Sequence, residues 1–274
     1  MQAFNRGVSQ LVRRSGLSRP AYRLYEIGRR IDRRSLRRNL GYRGRLAPDG
    51  LPIPPLGLIV AVAGTPDVEW FLASGALTVG TIRDILARNG LALEGFSSIL
   101  DFGCGCGRTI RHLRALDGPA LSGSDYNPAL IRWCRANLPF ARFEVNGAAP
   151  PLPYPAASFD FVYAFSVFTH FSAELQRPWI DEVARVLVPG GYLLLTTHGE
   201  DYLDRLTPDE IARYRDGRLV VRHGEASGAN LCAAFHPRRY LEGELCSGLE
   251  VVDFVSGGAL EGLHQDYTLV RKPA

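Results

Sequence analysis

The 274-residue sequence lacks an apolar run long enough to cross a bilayer. Its longest candidate, residues 56–64, is short and follows three prolines at 52–55, whereas a spanning helix needs about 20 apolar residues. The first twenty residues also lack the apolar core of a secretion signal. These absences predict a cytoplasmic protein without a transmembrane segment.

Cysteine is scarce, and its spacing does not suggest a structural pair. There are five cysteines and no C-x-x-C pattern, which favours free thiols in a reducing compartment. Cys104 and Cys106 alone cannot complete a zinc shell. His198, Glu200 and Asp201 have side chains that can bind Mg²⁺, but solvated loop charges explain them equally well. We therefore predict no metal site.

Acidic residues are rare at the N-terminus. Residues 1–45 hold 13 arginines and two acidic residues, so their net charge is +11. Since the net charge of the whole chain is +4, the remaining residues carry a net charge of −7. Residues 20–40 are compatible with a helix that has one apolar face. Four roles stay open for this arm: binding of nucleic-acid phosphate, peripheral contact with anionic lipid, organellar targeting, and a solvated helix that docks on the body or on a second subunit.

A glycine loop is the most informative feature that the sequence does contain. Residues 98–102 predict a buried parallel strand, and residues 109–116 predict a helix with apolar side chains at helical spacing. Gly103, Gly105 and Gly107 stand between them. Glycine accepts positive φ and allows a ligand to approach the backbone, so a loop between strand and helix suits a ligand-binding crevice.

The spacing of this loop argues against a dinucleotide site. A G-x-G-x-x-G fingerprint would place glycine at position 110, which is isoleucine. Asp101 just before the loop would repel a pyrophosphate but suits a ligand with an ammonium group. The pattern Asp101-x-Gly103-x-Gly105-x-Gly107 resembles the first motif of class I S-adenosylmethionine (SAM)-dependent methyltransferases. The alternative is a glycine turn in an α/β domain that binds no ligand.

Two later segments, residues 158–162 and 185–195, resemble further motifs of the same family in the expected order. The resemblance covers residues 95–272 and is strongest to bacterial small-molecule methyltransferases of glycan or secondary metabolism. It implies an α/β, Rossmann-like fold: a seven-stranded, mostly parallel sheet with helices on both faces and an antiparallel last strand. We divide the chain into a basic helical arm (1–50), connecting helices with a lid role (51–95) and a methyltransferase domain (96–274), with an acceptor-side insertion at 201–240.

The resemblance places the cofactor at the ends of the first four strands. Asp101 would face the methionine ammonium and Arg108 its carboxylate, although Arg108 also suits a solvent-facing position. Asp125 would accept hydrogen bonds from both ribose hydroxyls, because Asn127 is the better cap for the following helix. Asn146 would border the adenine. The full set predicted to bind SAM, or its product S-adenosylhomocysteine (SAH), is Asp101, Gly103, Cys104, Gly105, Gly107, Arg108, Asp125, Tyr126, Asn146, Gly147, Ala148 and Ser166.

Two histidines follow strand ends that open on the same crevice. The cofactor brings an activated methyl group, so the protein must align the acceptor and, if that acceptor is a hydroxyl, remove its proton. Histidine suits this task near neutral pH. His170 follows the fourth strand and His198 the fifth, and we predict that one of them is the general base. His170 has an alternative role in packing.

The sequence gives fewer signals for the residues that surround the acceptor. We expect residues 49–66 to form a connection, followed by two helices at 67–73 and 79–89. Trp70 and Phe71 would either pack on the sheet edge or form a lid. Within the insertion we predict a helix that starts at a capping box, a small hairpin, and four aromatic residues near the acceptor: Tyr202, Tyr214, Phe235 and Tyr240.

Three functions stay open. The first is SAM-dependent methyl transfer to an oxygen of a small molecule, which we favour. The second is an RNA methyltransferase guided by the basic arm, and the third is a catalytically silent binding protein. An Asn-Pro-Pro-Tyr-like tetrad, typical of enzymes that methylate nucleic-acid amino groups, is absent after the fourth strand, where residues 164–167 stand. Peripheral membrane contact and homo-oligomerisation through the arm stay open as well.

Overall fold

A computed structural model describes residues 33–257 and 264–274, so most of the predicted arm, residues 1–32, lies outside the described residues. The helices are α1 Arg33–Asn39, α2 Leu56–Ala63, α3 Val68–Arg88, α4 Pro128–Asn137, α5 Ala173–Val186, α6 Pro208–Arg215 and α7 Arg238–Tyr240. The strands are β1 Ser98–Phe102, β2 Ala120–Asp125, β3 Arg142–Val145, β4 Phe159–Ala164, β5 Leu187–Thr197, β6 Val220–Arg222, β7 Ala233–Phe235, β8 Glu250–Val255 and β9 Asp266–Arg271. The division at residues 50 and 95 stays a prediction.

The main sheet has seven strands in the order β3-β2-β1-β4-β5-β9-β8. The strands from β1 to β5 pair in parallel, and β9 runs antiparallel to both β5 and β8. This confirms the predicted Rossmann-like sheet with its antiparallel last strand. The parallel order brings the carboxyl ends of β1, β2, β3 and β4 to one edge of the sheet, where ligands bind in this architecture.

Helices cover both faces of the sheet, because successive side chains of a strand point to opposite sides. Ile99 packs with Ile82 of α3 and Ile131 of α4 in one core cluster. The next residue, Leu100, packs with Trp179 of α5 in the other. All five of these side chains are at least 99 % buried, so β1 is covered on both sides as its apolar sequence predicts.

The segment before β1 differs from the prediction. The expected connection at 49–66 contains α2, and the two expected helices are one helix of 21 residues, α3. Asp67 caps α3, since its carboxylate accepts a hydrogen bond from Trp70 N at 3.1 Å. At the expected break, the Thr78 hydroxyl donates to the Ser74 carbonyl at 2.8 Å, so the polar side chain is satisfied inside the helix.

The segment after the glycine loop also differs. Residues 109–116 do not form the expected α-helix, and Ile110–Leu113 makes a single 3₁₀ turn. The side chain of Arg111 in this turn is fully buried and forms a bidentate ion pair with Asp49, at 2.6 and 3.0 Å. Because this pair ties the turn to a segment 62 residues away, local helical spacing did not decide its geometry. A helix-dipole contribution to ligand binding is therefore not expected here.

The insertion forms a small unit beside the main sheet. Thr207 and Glu210 make the predicted capping box at the start of α6, and β6 and β7 form the predicted antiparallel pair. Tyr202, Tyr214 and Phe235 pack together in the core of this unit.

The length and apolar character of the helices show whether any of them could span a membrane. In the described parts of the chain, no single helix has the length and apolar character of a membrane span. Among the helices that the structure describes, α2 and α3 meet that test when taken together, and they are bent by 48°.

Candidate functional site

A cavity of about 530 Å³ lies where the carboxyl ends of β1 to β4 meet. Eleven of the twelve residues predicted to bind the cofactor line it: Asp101, Gly103, Cys104, Gly105, Arg108, Asp125, Tyr126, Asn146, Gly147, Ala148 and Ser166. The twelfth, Gly107, does not, and its Cα faces Leu138 instead. The structure thus brings together residues that lie up to 65 positions apart in the sequence.

The glycine loop has a backbone that side chains would disrupt. Gly103 and Gly105 have φ angles of +79° and +57°. A Cβ added to Gly103 would lie 2.4 Å from Val167 Cγ2, and one added to Gly105 would lie 2.5 Å from Val62 Cγ2. Both positions therefore require glycine, for conformation and for space. The loop consequently exposes bare backbone to the cavity.

Asp125 at the end of β2 locks this loop in place. Its Oδ2 accepts a hydrogen bond from Gly105 N at 3.0 Å and its Oδ1 accepts one from Asn127 N at 2.8 Å. Asn127 is the cap of α4, since its side chain accepts from Ala129 N at 3.0 Å. Burial raises the pKa of Asp125 to about 6, against the effect of the two backbone hydrogen bonds. Each carboxylate oxygen keeps a lone pair for a ligand donor.

Asp101 at the end of β1 is a buried carboxyl with unused hydrogen-bonding capacity. It is 4 % exposed, and its Oδ2 accepts no hydrogen bond. Burial raises its pKa to about 7; the Tyr163 hydroxyl and the Arg108 guanidinium lower it, and Asp125 raises it further. Arg108 is half-buried and donates to the Ser74 hydroxyl at 3.3 Å. The alternative of a solvent-facing Arg108 is therefore not what the structure shows.

Asn146 offers a second unpaired acceptor to the cavity. Its Nδ2 donates to the Gly147 carbonyl at 2.7 Å, whereas its buried Oδ1 has no partner. Unpaired buried acceptors are costly, and both Asp101 Oδ2 and Asn146 Oδ1 belong to residues that line the cavity. The pair suits a ligand with two separate N–H donor groups, as the ammonium and the adenine amino group of SAM are. The residues present therefore fit that cofactor.

Ser166 after β4 holds an unusual backbone conformation. Its φ is +57°, which for a residue with a side chain costs of order 1 kcal/mol. Its N–H donates to the Thr196 hydroxyl at 2.8 Å, and its own hydroxyl donates to Gln265 Oε1 at 3.0 Å. Thr196 also donates to Gln265 at 2.6 Å. Sequence reasoning missed Thr196 and Gln265, because they come from β5 and the residue before β9.

The two candidate bases lie in different surroundings. His170 lines the cavity, and its Nδ1 donates to the Cys232 carbonyl at 2.7 Å. Since a carbonyl can only accept, this bond leaves Nε2 as the acceptor nitrogen. Burial lowers the pKa of His170, so the ring is neutral near pH 7.

His198 does not line the cavity. It is 7 % exposed, and its ring centroid lies 4.2 Å from that of Tyr202. Its Nδ1 donates to the Ala234 carbonyl at 3.0 Å, and burial lowers its pKa to about 3. The role predicted for either histidine stays a prediction, but only His170 has access to the cavity.

Part of the cavity wall comes from residues that the sequence did not indicate. Residues 61–64 at the end of α2 and residues 228–230 of the insertion both line it. Asn230 Nδ2 donates to the Ala61 carbonyl at 3.1 Å, and Gly228 N donates to the His170 carbonyl at 2.7 Å. Nothing in the sequence pattern around Asn230 predicts this contact, since its partner is 169 residues away.

The predicted aromatic residues divide between wall and core. Trp70 lines the cavity and is 41 % exposed, whereas Phe71 is fully buried in a cluster with side chains of α2 and α4. Phe71 therefore does not pack on the sheet edge, and the lid role stays a prediction for Trp70. None of the four predicted aromatic residues of the insertion lines the cavity, so their expected place near the acceptor stays a prediction. Three pack in the core of the insertion, and Tyr240 packs against the main core.

Part of the chain is similar in sequence to known methyltransferases. Residues 100–195 match the family model described as "Methyltransferase domain". The chain is 41 % identical over 104 residues to phthiotriol/phenolphthiotriol dimycocerosates methyltransferase 1 of Mycobacterium ulcerans. It is 37 % identical over 103 residues to the fatty-acid O-methyltransferase of Mycolicibacterium smegmatis. Each match spans 36 % of this chain and 36 % of the relative, so the chain matches about a third of the length of these curated relatives.

A solved structure supports the fold over a longer stretch. The 1,6-didemethyltoxoflavin-N1-methyltransferase of Burkholderia thailandensis, solved with its 1,6-didemethyltoxoflavin ligand and SAH, superposes with a TM-score of 0.53. The match is 18 % identical and covers 79 % of this chain and 85 % of that one. The sheet order and the glycine loop agree with the family match, which places a methyltransferase domain at residues 100–195 of this chain.

Proposed function

We propose that this protein transfers a methyl group from SAM to an oxygen nucleophile of a small-molecule acceptor, with His170 as general base. The observation that carries the proposal is the convergence on one cavity of two buried carboxyl groups, two unpaired acceptor atoms and a neutral histidine. Perturbed titratable groups that meet in a cleft are typical of active sites.

Four polar side chains that line the cavity have counterparts on the cofactor. Asp101 would hold the ammonium, Arg108 the carboxylate, Asp125 the ribose hydroxyls and Asn146 the adenine amino group. The glycine loop would let the cofactor approach the backbone. Bound there, the cofactor supplies a methyl group that is already activated for transfer.

His170 is placed to accept the proton of an acceptor hydroxyl. The Cys232 carbonyl fixes its tautomer and the orientation of the ring, so Nε2 is available as an acceptor on a neutral imidazole. A positioned base of this kind contributes about 10²–10⁴-fold to a rate. The names of the relatives support a small-molecule acceptor, and the fatty-acid O-methyltransferase among them supports an oxygen nucleophile, although its named acceptor is an acid.

Two measurements test the proposal together. Calorimetric titration of the full chain with SAH should show binding at one site, and labelled SAM should transfer its methyl group to neutral alcohols or phenols. Absence of SAH binding would contradict the proposal. Binding without transfer would favour the catalytically silent alternative, and transfer to RNA that fails without residues 1–45 would favour the RNA alternative.

We expect the affinity for SAH to fall as the pH is lowered through 7. The pKa of Asp101 is raised to about 7 by burial, so below that pH the carboxyl takes up a proton and attracts an ammonium less. Tyr163, Arg108 and Asp125 are the groups that face it. Binding of SAH then requires release of that proton, and the dissociation constant should rise by about fivefold between pH 7 and pH 6 and by about tenfold between pH 8 and pH 6.

Calorimetry at pH 8, 7 and 6 measures this dependence. Asp101→Asn serves as the control, because an amide does not titrate. Its binding should be weaker than wild type at pH 8 and should fall by no more than about twofold down to pH 6, where Asp125 titrates. A wild-type affinity that is the same at all three pH values would show that Asp101 does not face the ammonium.

A further inference from the structure

The cavity has one wall without ionisable groups, and its chemistry bears on the acceptor. This wall consists of residues 61–64 at the end of α2, Trp70 of α3 and residues 228–230 of the insertion; we call it the neutral wall. We infer that the acceptor bound at the neutral wall is an uncharged, largely apolar compound with a hydroxyl group, and that anionic acceptors are excluded. The inference rests on the proposed function, because it assigns the charged residues of the cavity to the cofactor.

The charges of the cavity are few and already have counterparts. Among the described residues that line it, the only acidic or guanidinium side chains are Asp101, Arg108 and Asp125. The ammonium, the carboxylate and the ribose of the cofactor match these three. His170 is kept neutral because burial lowers its pKa. Within residues 33–257 and 264–274, no cation is therefore left at the cavity to pair with a carboxylate or phosphate of the acceptor.

The neutral wall adjoins the glycine loop directly. A Cβ on Gly105 would lie 2.5 Å from Val62 Cγ2, so the apolar side chain of Val62 packs against the loop itself. From there the wall continues to Trp70, which is 41 % exposed and therefore reaches the protein surface. An acceptor on this wall would contact apolar groups all the way from the glycine loop to the protein surface. Removal of its own apolar surface from water would favour binding.

Two polar groups of the neutral wall already have hydrogen-bond partners in the protein. Asn230 Nδ2 donates to the Ala61 carbonyl, which joins the insertion to α2. Gly228 N donates to the His170 carbonyl, which joins the insertion to the segment that carries the candidate base. A carboxylate on the acceptor would lose hydration there without gaining a charged partner.

This wall belongs to parts of the chain outside the matched domain. The family model covers residues 100–195, whereas the neutral wall comes from residues 61–70 and 228–230. The acceptor preference is therefore a property of this chain's own N-terminal helices and insertion.

A matched pair of probes tests the inference. 4-Heptylphenol and 4-heptylbenzoate have the same aromatic ring and the same heptyl chain. They differ in that the first has a hydroxyl group where the second has a carboxylate. Calorimetry on the full chain saturated with SAH should show the phenol binding at least about tenfold more tightly than the benzoate. Benzoate binding that is equal or tighter, or no detectable binding of the phenol, would overturn the inference.

Variants of α3 show whether the preference comes from the wall. Trp70→Arg adds a cation to the wall and should shift the ratio of affinities by about tenfold towards the benzoate, while Trp70→Leu should not shift it in that direction. Leu77→Arg is the charge control, since Leu77 is 43 % exposed on the same helix and does not line the cavity. An equal shift in Trp70→Arg and Leu77→Arg, or none in Trp70→Arg, contradicts the inference.

The affinity for SAH is measured first in every variant. It should stay within about threefold of wild type, because none of the three substitutions removes a residue assigned to the cofactor. Loss of SAH binding in the wild-type chain would be a failure of the proposed function, whereas intact SAH binding with a preference for the benzoate would be a failure of the acceptor inference alone.

Discussion

Replacing Asp125 with alanine should weaken the binding of SAH by about 100-fold or more. Two hydrogen bonds from ribose hydroxyls to a carboxylate are worth about 1.5 kcal/mol each, and 1.4 kcal/mol corresponds to about tenfold in affinity. The substitution also frees the N–H groups of Gly105 and Asn127, which the carboxylate now holds at 3.0 and 2.8 Å. The glycine loop would then lose its anchor as well as the ligand contact.

Two further variants separate these effects. Asp125→Asn keeps an acceptor oxygen and the side-chain shape, so it should lose less affinity than Asp125→Ala. Asp117→Ala, at an exposed position before β2, removes the same charge away from the cavity and should leave SAH binding unchanged. The melting temperature of each variant shows whether the change in the glycine loop also lowers the stability of the whole fold. If Asp125→Ala folds and binds SAH as wild type does, the ribose assignment is wrong.

Replacing His170 with glutamine should lower the rate of methyl transfer to 4-heptylphenol by about 10²–10⁴-fold. Glutamine can still donate to the Cys232 carbonyl but cannot take up a proton at neutral pH, so the segment should keep its place while the base is lost. The affinity for SAH should stay close to wild type, because His170 is not among the residues assigned to the cofactor. Single-turnover rates and calorimetry measure the two quantities.

The comparison variant is His264→Gln, which alters an exposed histidine that does not line the cavity. It should retain the wild-type rate. With SAM at a saturating concentration, the wild-type rate should also change little with pH above the usual pKa of histidine, since burial lowers the pKa of His170 and the base is already neutral there. A His170→Gln enzyme with an unchanged rate would assign His170 to packing alone.

The sheet and most of the residues that line the cavity ends of β1 to β4 could be predicted because their signals are local. An apolar run predicts β1, and the alternating glycines after it predict a turn that needs positive φ. Asp125 and Asn146 could be placed because parallel strands bring their carboxyl ends to one edge. Each of these inferences needs only a few consecutive residues and the topology that they imply.

The parts that could not be predicted depend on contacts between distant residues. The ion pair of Arg111 with Asp49 fixes a 3₁₀ turn where the spacing favoured an α-helix. The Asn230–Ala61 hydrogen bond closes a wall across 169 residues. Neither pair has a pattern that identifies the partner in a single sequence.

The choice between the two histidines shows the same limit. Both follow strand ends, so topology alone places both near the crevice. The structure adds a bridge between His198 and Phe235, through which the insertion covers that strand end. His198 is thereby buried among Tyr202 and Phe235, whereas His170 keeps access to the cavity.

A crystal structure of the full chain with SAH tests the central claim most directly. We expect the ribose hydroxyls of SAH at Asp125, its ammonium at Asp101 and its adenine amino group at Asn146. The ring of His170 should face the sulfur atom of SAH across the space left for the acceptor. SAH bound elsewhere, or bound here with its ribose away from Asp125, would contradict it.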